Sequence, residues 1–248
     1  MRRRHLFFSL FIIVLIIALA GIPVESRGSA ALQDQAPVKK LSAGRNVNMV
    51  SGTTLPNGDP WLQRQNEPSM AVSTRNPLHI LAGSNDYRTV DMPIENEQLP
   101  GREGKTAAAP DAWLGLYKSV DGGQSWASTL LPGFPQDSSS QGVASPLKYN
   151  TAKKKGFTAA ADPVVRSGPS GMFYYSGIAF NRTKIPGWVN GSVFISRFID
   201  KNNAEAGDAI QYLDTQIIAD DLKLAALFVD KPWIAVDAPL PGASMITI

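Results

Sequence analysis

The sequence predicts an all-β protein built of repeated four-stranded antiparallel units, preceded by an N-terminal hydrophobic helix. Three observations carry this expectation. Short apolar runs recur between clusters of turn-forming residues. Three of these runs open alike, with an acidic residue, a proline and an apolar stretch: Glu67-Pro68, Asp162-Pro163 and Asp230-Lys231-Pro232. One connection, Ser119-Val-Asp-Gly-Gly-Gln-Ser-Trp126, reads as a tight hairpin turn.

The N-terminus carries Arg2, Arg3 and Arg4, then an apolar run over 6–20, then the small residues Gly28, Ser29, Ala30 and Ala31. That order is the layout of a secretory signal peptide cleaved near Ala30 or Ala31. An uncleaved membrane anchor is the alternative for residues 1–31. Residues 32–65 are polar and read as a linker, which leaves 66–248 for the domain.

The first unit has strands over 66–72 and 79–86, a polar loop over 88–110, then strands over 113–117 and 127–131. The second has strands over 161–166, 172–180, 191–197 and 211–218. Asp200, in Phe198-Ile-Asp-Lys-Asn-Asn203, sits where the hairpin turn of the first unit belongs but lacks its Gly and Trp. The third unit opens at 230–237, and its second strand is expected over 244–248. Residues 220–228 read as a connector with the pattern of a short amphipathic helix. The three prolines lie 95 and 69 residues apart. Self-similarity at such periods, with four strands in each, is the pattern of a β-propeller. The expectation is an incomplete propeller: two four-stranded blades and the start of a third.

The turn itself is the most specific signal. Ser119, Asp121, Gly123, Ser125 and Trp126 fit the pattern Ser-x-Asp-x-Gly-x-Ser/Thr-Trp. Asp121 can accept from backbone amides two or three residues on. Gly122 and Gly123 permit positive φ. Trp126 can bury its ring against the sheet. This octapeptide resembles the Asp-box, or BNR repeat, of sialidases and related β-propellers. In that family the motif closes a hairpin on the outer part of a blade and serves structure. The chain looks like the N-terminal piece of such a protein.

Composition excludes several chemistries. There is no Cys, so disulfides and thiolate metal sites are out. The two His are His5, in the leader, and His79, which leaves one for any Ser-His-Asp triad or His-rich metal site and argues against both. Of 24 basic and 21 acidic residues, Arg2, Arg3, Arg4, Arg27 and Glu25 lie within residues 1–30, so the rest of the chain is neutral. Nucleic acid therefore has no electrostatic footprint to bind. The run Lys153, Lys154 and Lys155 reads as a solvated loop.

Enzymatic sialidases carry an arginine triad, a Tyr–Glu nucleophile pair and an Asp acid/base, their first arginine lying in an Arg-Ile-Pro motif. The nearest counterpart is Arg88, in Tyr87-Arg-Thr-Val-Asp-Met-Pro93, which lacks the Ile-Pro. A loop arginine is the simpler reading, and no catalytic residue carries over. Topology suggests a ligand face instead. Glu67, Asp162 and Asp230 start the innermost strands and should ring one mouth, opposite the octapeptide, with Arg88, the 88–110 loop and Trp188. Each acid alone also reads as a cap for local backbone. The expected role is binding of carbohydrate or a surface protein at the cell envelope, with no cofactor and the metal question open. The membrane is expected only through the N-terminal segment. The alternatives are a sialidase-type glycoside hydrolase whose catalytic residues lie beyond residue 248, and a structural adhesion module. Asn181-Arg-Thr and Asn190-Gly-Ser are glycosylation sequons.

Overall fold

Alternating side chains and turn residues produce two four-stranded antiparallel sheets, each threaded in simple sequence order. The structure, a computed structural model, describes residues 44–92, 111–150, 153, 155–181, 191–203, 207–220 and 229–237. The first sheet contains β1 (Gln65–Val72), β2 (Ile80–Asp86), β3 (Trp113–Ser119) and β4 (Ala127–Leu130). The second contains β5 (Ala159–Ser167), β6 (Met172–Phe180), β7 (Gly191–Asp200) and β8 (Ile210–Asp220). All eight strands of the two complete units fall where the sequence predicts them. A helix, α1 (Ser140–Ala144), lies in the connection between the sheets, capped by the Ser139 hydroxyl accepting from the Gly142 amide.

Each face of the first sheet has its own cover. Leu81, Leu114 and Leu116 join Val165, Phe173, Tyr175, Phe194 and Phe198 of the second sheet in one buried core. The approach is close at Gly83, where a Cβ would stand 2.2 Å from the Tyr175 hydroxyl. That hydroxyl crosses between the sheets and donates to the Gly115 carbonyl at 2.8 Å. On the other face, Ala82 and Tyr117 pack with Val50.

The latter contact packs part of the stretch 32–65, expected as a linker, against the sheet. The described residues from Asn46 onward form one compact unit. The stretch 46–64 thus belongs with the sheets, and the Pro56 carbonyl accepts a bond from Arg88. It has no regular strand pattern to signal this, because it contributes single apolar and carbonyl contacts.

The signal peptide or anchor, residues 93–110, Trp188, residues 221–228 and the strand expected over 244–248 lie outside the described residues. No helix among the described residues is long and apolar enough to cross a membrane. Residues 229–237, expected to open a third unit with a strand, carry no strand assignment. A strand is defined by its ladder, and the segment predicted to pair with it is among the undescribed ones. Exposure nonetheless alternates residue by residue from Lys231 to Asp237.

Candidate functional site

The octapeptide joins β3 to β4, as its pattern predicts, but its bonds are shared differently from the expectation. Asp121 accepts at Oδ1 from the Ser125 amide, four residues on, at 2.9 Å, and at Oδ2 from the Ser125 hydroxyl at 2.5 Å. The Ser119 hydroxyl donates to Asp121 and accepts from the Gly123 amide at 2.8 Å. Gly122 and Gly123 take φ of +74° and +86°. Trp126 is half-buried against the Val50–Ala82–Tyr117 cluster, and its Nε1 donates to the Gly123 carbonyl at 3.1 Å. The bonds from Ser125 hold the Asp121 carboxyl down at about 2. This set fixes a turn and presents no reactive group.

Asp200 ends β7, where the corresponding turn of the second sheet begins, and does something different. It is fully buried and reaches across to the β1–β2 turn of the first sheet. Its Oδ2 accepts from the Ser73 hydroxyl at 2.5 Å, and its Oδ1 from His79 Nδ1 at 2.8 Å and the Asn202 amide at 2.6 Å. Arg75 donates to the Asp200 carbonyl at 2.7 Å and to the Ser170 carbonyl at 2.9 Å. Burial pushes the Asp200 carboxyl up, but the bonds from Ser73, His79 and Asn202 outweigh it and leave it below its ordinary value. An ionised carboxylate only accepts, so His79 carries its proton on Nδ1. The residue that resembled a degenerate turn is a clasp between sheets.

Glu67 and Asp162 lie at the opposite ends of the sheets. Gln65 pairs with Asp86 at that end, whereas Ile80 pairs with Ser119 beside the octapeptide. Each acid takes a positive φ, 52° at Glu67 and 57° at Asp162. Each also sits in a bulge with its following proline, between Asn66 and Ser69 in β1 and between Ala161 and Val164 in β5. Proline fits there because β1 and β5 are edge strands and a bulge needs no ladder donor. A bulge re-aims the side chain beside it.

The third equivalent residue is Lys231, with φ of 48° directly before Pro232, and this corrects the alignment on Asp230. Lys231 Nζ pairs with Glu67 and lies 3.6 Å from Asp162. Its amide donates to Asp162 Oδ2 at 3.3 Å and to Asp230 Oδ1 at 3.0 Å. The bond to Glu67, with the charge of Asp162 behind it, holds the Lys231 ammonium above its ordinary value. Asp230 is exposed beside this cluster.

These residues frame a cleft of about 260 Å³ with Arg166 and Trp233. Trp233 is 78 % exposed, with the Arg166 guanidinium 4.6 Å from its ring centre. Sequence reading missed Lys231, Arg166 and Trp233. Counting from the proline instead of the acid finds Lys231.

Arg88 is not on this face as a ligand-binding group, which corrects its candidacy. It is 0 % exposed. Nε and one Nη hold Asp86 at 2.8–3.0 Å, and the remaining donors go to the Pro56 carbonyl, the Ser128 hydroxyl and the Thr129 carbonyl. All five donors of a guanidinium are thereby used. Tyr117 donates to the same Asp86 at 2.8 Å, and burial followed by the Asp86 charge pushes its phenol well up.

Asn181, a sequon residue, is buried, and its Nδ2 donates to the Gly156 carbonyl at 3.2 Å. That geometry withholds the nitrogen a glycan would modify. Among the described residues no group of three or more His, Asp or Glu side chains is placed to hold a metal ion.

No protein-family model, curated protein or solved structure matches this chain.

Proposed function

We propose that this chain is an exported, sialidase-like β-propeller segment that binds carbohydrate through the cleft between Glu67, Asp162, Lys231 and Trp233. One observation carries the reading. Three proline-led segments run side by side in the same direction and bring together their starts, each with a positive φ directly before the proline. Asp162 donates its amide to Asn85, Val165 donates to Ser69, and Thr74 donates to the Gly168 carbonyl, so β5 follows β1. Lys231 meets Asp162, Trp233 stacks on Arg166, and Val236 lies against Gly168, so 231–236 follows β5 in turn. Radial repetition of four-stranded sheets about an axis has this pattern of inner strands. The octapeptide at the opposite end is consistent with its structural role in Asp-box proteins.

The cleft's chemistry favours a sugar. Carboxylates and an ammonium offer acceptors and donors to hydroxyl groups, and an exposed indole offers a flat apolar face. The test is a glycan array probed with the full chain and with Trp233→Ala and Glu67→Gln variants. Wild-type binding to a defined glycan class, lost in both variants while circular dichroism is unchanged, supports the reading. Binding that persists in both variants, or no glycan bound at all, overturns it. Capture of a surface protein lost in the same variants would reassign the cleft to a protein partner.

A further inference from the structure

A pocket of about 240 Å³ lies on the face of the first sheet turned away from the second. Pro68 lines both this pocket and the Glu67–Trp233 cleft. We propose that the pocket is a second binding site, for a single neutral sugar ring, anchored by the Ser84 hydroxyl. It does not depend on what the cleft binds.

Strand alternation builds the site. Gly83 faces Tyr175 of the second sheet, so Ala82 and Ser84 face the other way. Asn66 pairs with Asn85 and Ser69 with Gly83, so the bulge sets both Glu67 and Pro68 opposite Ser84. Residues 47–50 supply the wall across from β1. The rim is open to solvent, because Asn48, Gln65 and Pro68 are exposed. The floor is not: Ser84 is 2 % exposed and Tyr117 0 %.

That floor has a fixed hydrogen-bond polarity. The Asp86 carboxylate, paired with Arg88, only accepts. The Tyr117 phenol therefore gives its one proton to Asp86, at 2.8 Å. Ser84 Oγ lies 2.7 Å from the phenol oxygen and so donates to it. No donor among the described residues reaches Ser84 Oγ in return, which leaves its lone pairs for a donor inside the pocket. At the rim, Asn48 Oδ1 accepts from the Val50 amide at 3.1 Å, and Nδ2 remains as a donor. Gln65 Nε2 donates to Asp59 at 3.3 Å, and Oε1 remains as an acceptor.

These groups select the occupant. No charged side chain lines the pocket. A charged group entering it would lose its water without gaining a partner. A ring bearing several hydroxyls can donate to Ser84 and meet both rim amides, while Met49, Val50 and Pro68 cover its C–H surface. A phenol has one hydroxyl and satisfies one of the three. The volume lies just under the roughly 300–1,000 Å³ of drug-sized sites, which suits one ring.

The test uses the full chain carrying Trp233→Ala, which removes the flat face of the cleft, so sugar binding at the two places is read separately. Carbon-13 labelling of methionine methyls makes Met49 a reporter in the pocket wall, assigned with Met49→Leu. The probes are methyl glucoside, methyl galactoside and methyl mannoside, their uronate and 2-amino counterparts, and phenol. At least one neutral pyranoside should shift the Met49 signal saturably, and its charged counterparts should bind about tenfold more weakly, the scale of one lost hydrogen bond. Ser84→Ala should weaken the pyranoside by a similar factor. No Met49 shift with any pyranoside, equal binding of the charged counterparts, or full binding by folded Ser84→Ala would each overturn the proposal. Should Ser84→Ala fail to fold, the charge series and an Asn48→Ala variant, expected to bind more weakly, still decide. Phenol bound more tightly than every pyranoside would assign the pocket to an aromatic alcohol and overturn the sugar.

Discussion

His79 and Asp200 lie 121 residues apart in the sequence and meet in a 2.8 Å hydrogen bond that clasps one sheet to the other. Both are buried, and Asp200 also accepts from Ser73 and Asn202. Asp200→Ala leaves these donors without their charged acceptor. It should lower unfolding free energy by about 2–3 kcal/mol, the scale for bonds to a charged group. Urea denaturation at pH 7 measures this. The pH dependence has a definite sign. The folded carboxyl lies below its ordinary value, so its stabilisation is present above the unfolded pKa. It fades as pH falls through the lower folded value. The gap between wild type and Asp200→Asn should therefore narrow in acid, and a gap that widens would contradict this role.

Asp121 supplies a sharper titration. Its carboxyl is held at about 2 against an ordinary 3.8 by the Ser125 bonds. The turn's contribution should be intact at pH 5 and be lost as pH falls from about 4 to about 2. The carbon-13 carboxyl shift in a selectively labelled chain reads the midpoint directly. Ser125→Ala should move that midpoint up.

Arg88 is expected to matter for folding and not for ligand binding. Arg88→Ala strands the Asp86 carboxylate, which is 0 % exposed. Breaking a buried ion pair from one side costs about 3–5 kcal/mol. Arg88→Lys should rescue little, because a single ammonium cannot reproduce the fork that reaches Asp86, Pro56, Ser128 and Thr129. Thermal unfolding checks both variants. A folded Arg88→Ala protein with wild-type stability would contradict the network.

Gly83→Ala tests the close contact of the sheets. The added methyl would meet the Tyr175 ring and hydroxyl, with the nearest atom at 2.2 Å. Overpacking of this kind costs about 1–3 kcal/mol. The Tyr175 bond to Gly115 should break first. Gly83→Ala combined with Tyr175→Phe should recover part of the loss, read as a shift in urea midpoint.

The strands and the octapeptide turn were legible because their causes are local. Alternating apolar residues, proline at a strand start and paired glycines at a turn act within a few residues of chain. The stretch from Met172 to Phe180 needs nothing more than that to declare itself a strand. The same local logic placed Glu67 and Asp162 at one end and Asp121 at the other.

What tertiary structure decided is where local rules leave several outcomes open. Aligning on the acid chose Asp230, but the feature the three segments share is a positive φ directly before the proline, and in the third Lys231 has it. The acidic ring became an ion cluster for that reason. Arg88 looked like an available loop cation until Pro56, Ser128 and Thr129, all distant in sequence, consumed its donors. Asp200 looked like a weakened copy of Asp121 until the β1–β2 turn brought Ser73 and His79 to it. A side chain's neighbours depend on which faces pack together. Periodicity along one strand reports that a face is buried, not what lies across from it.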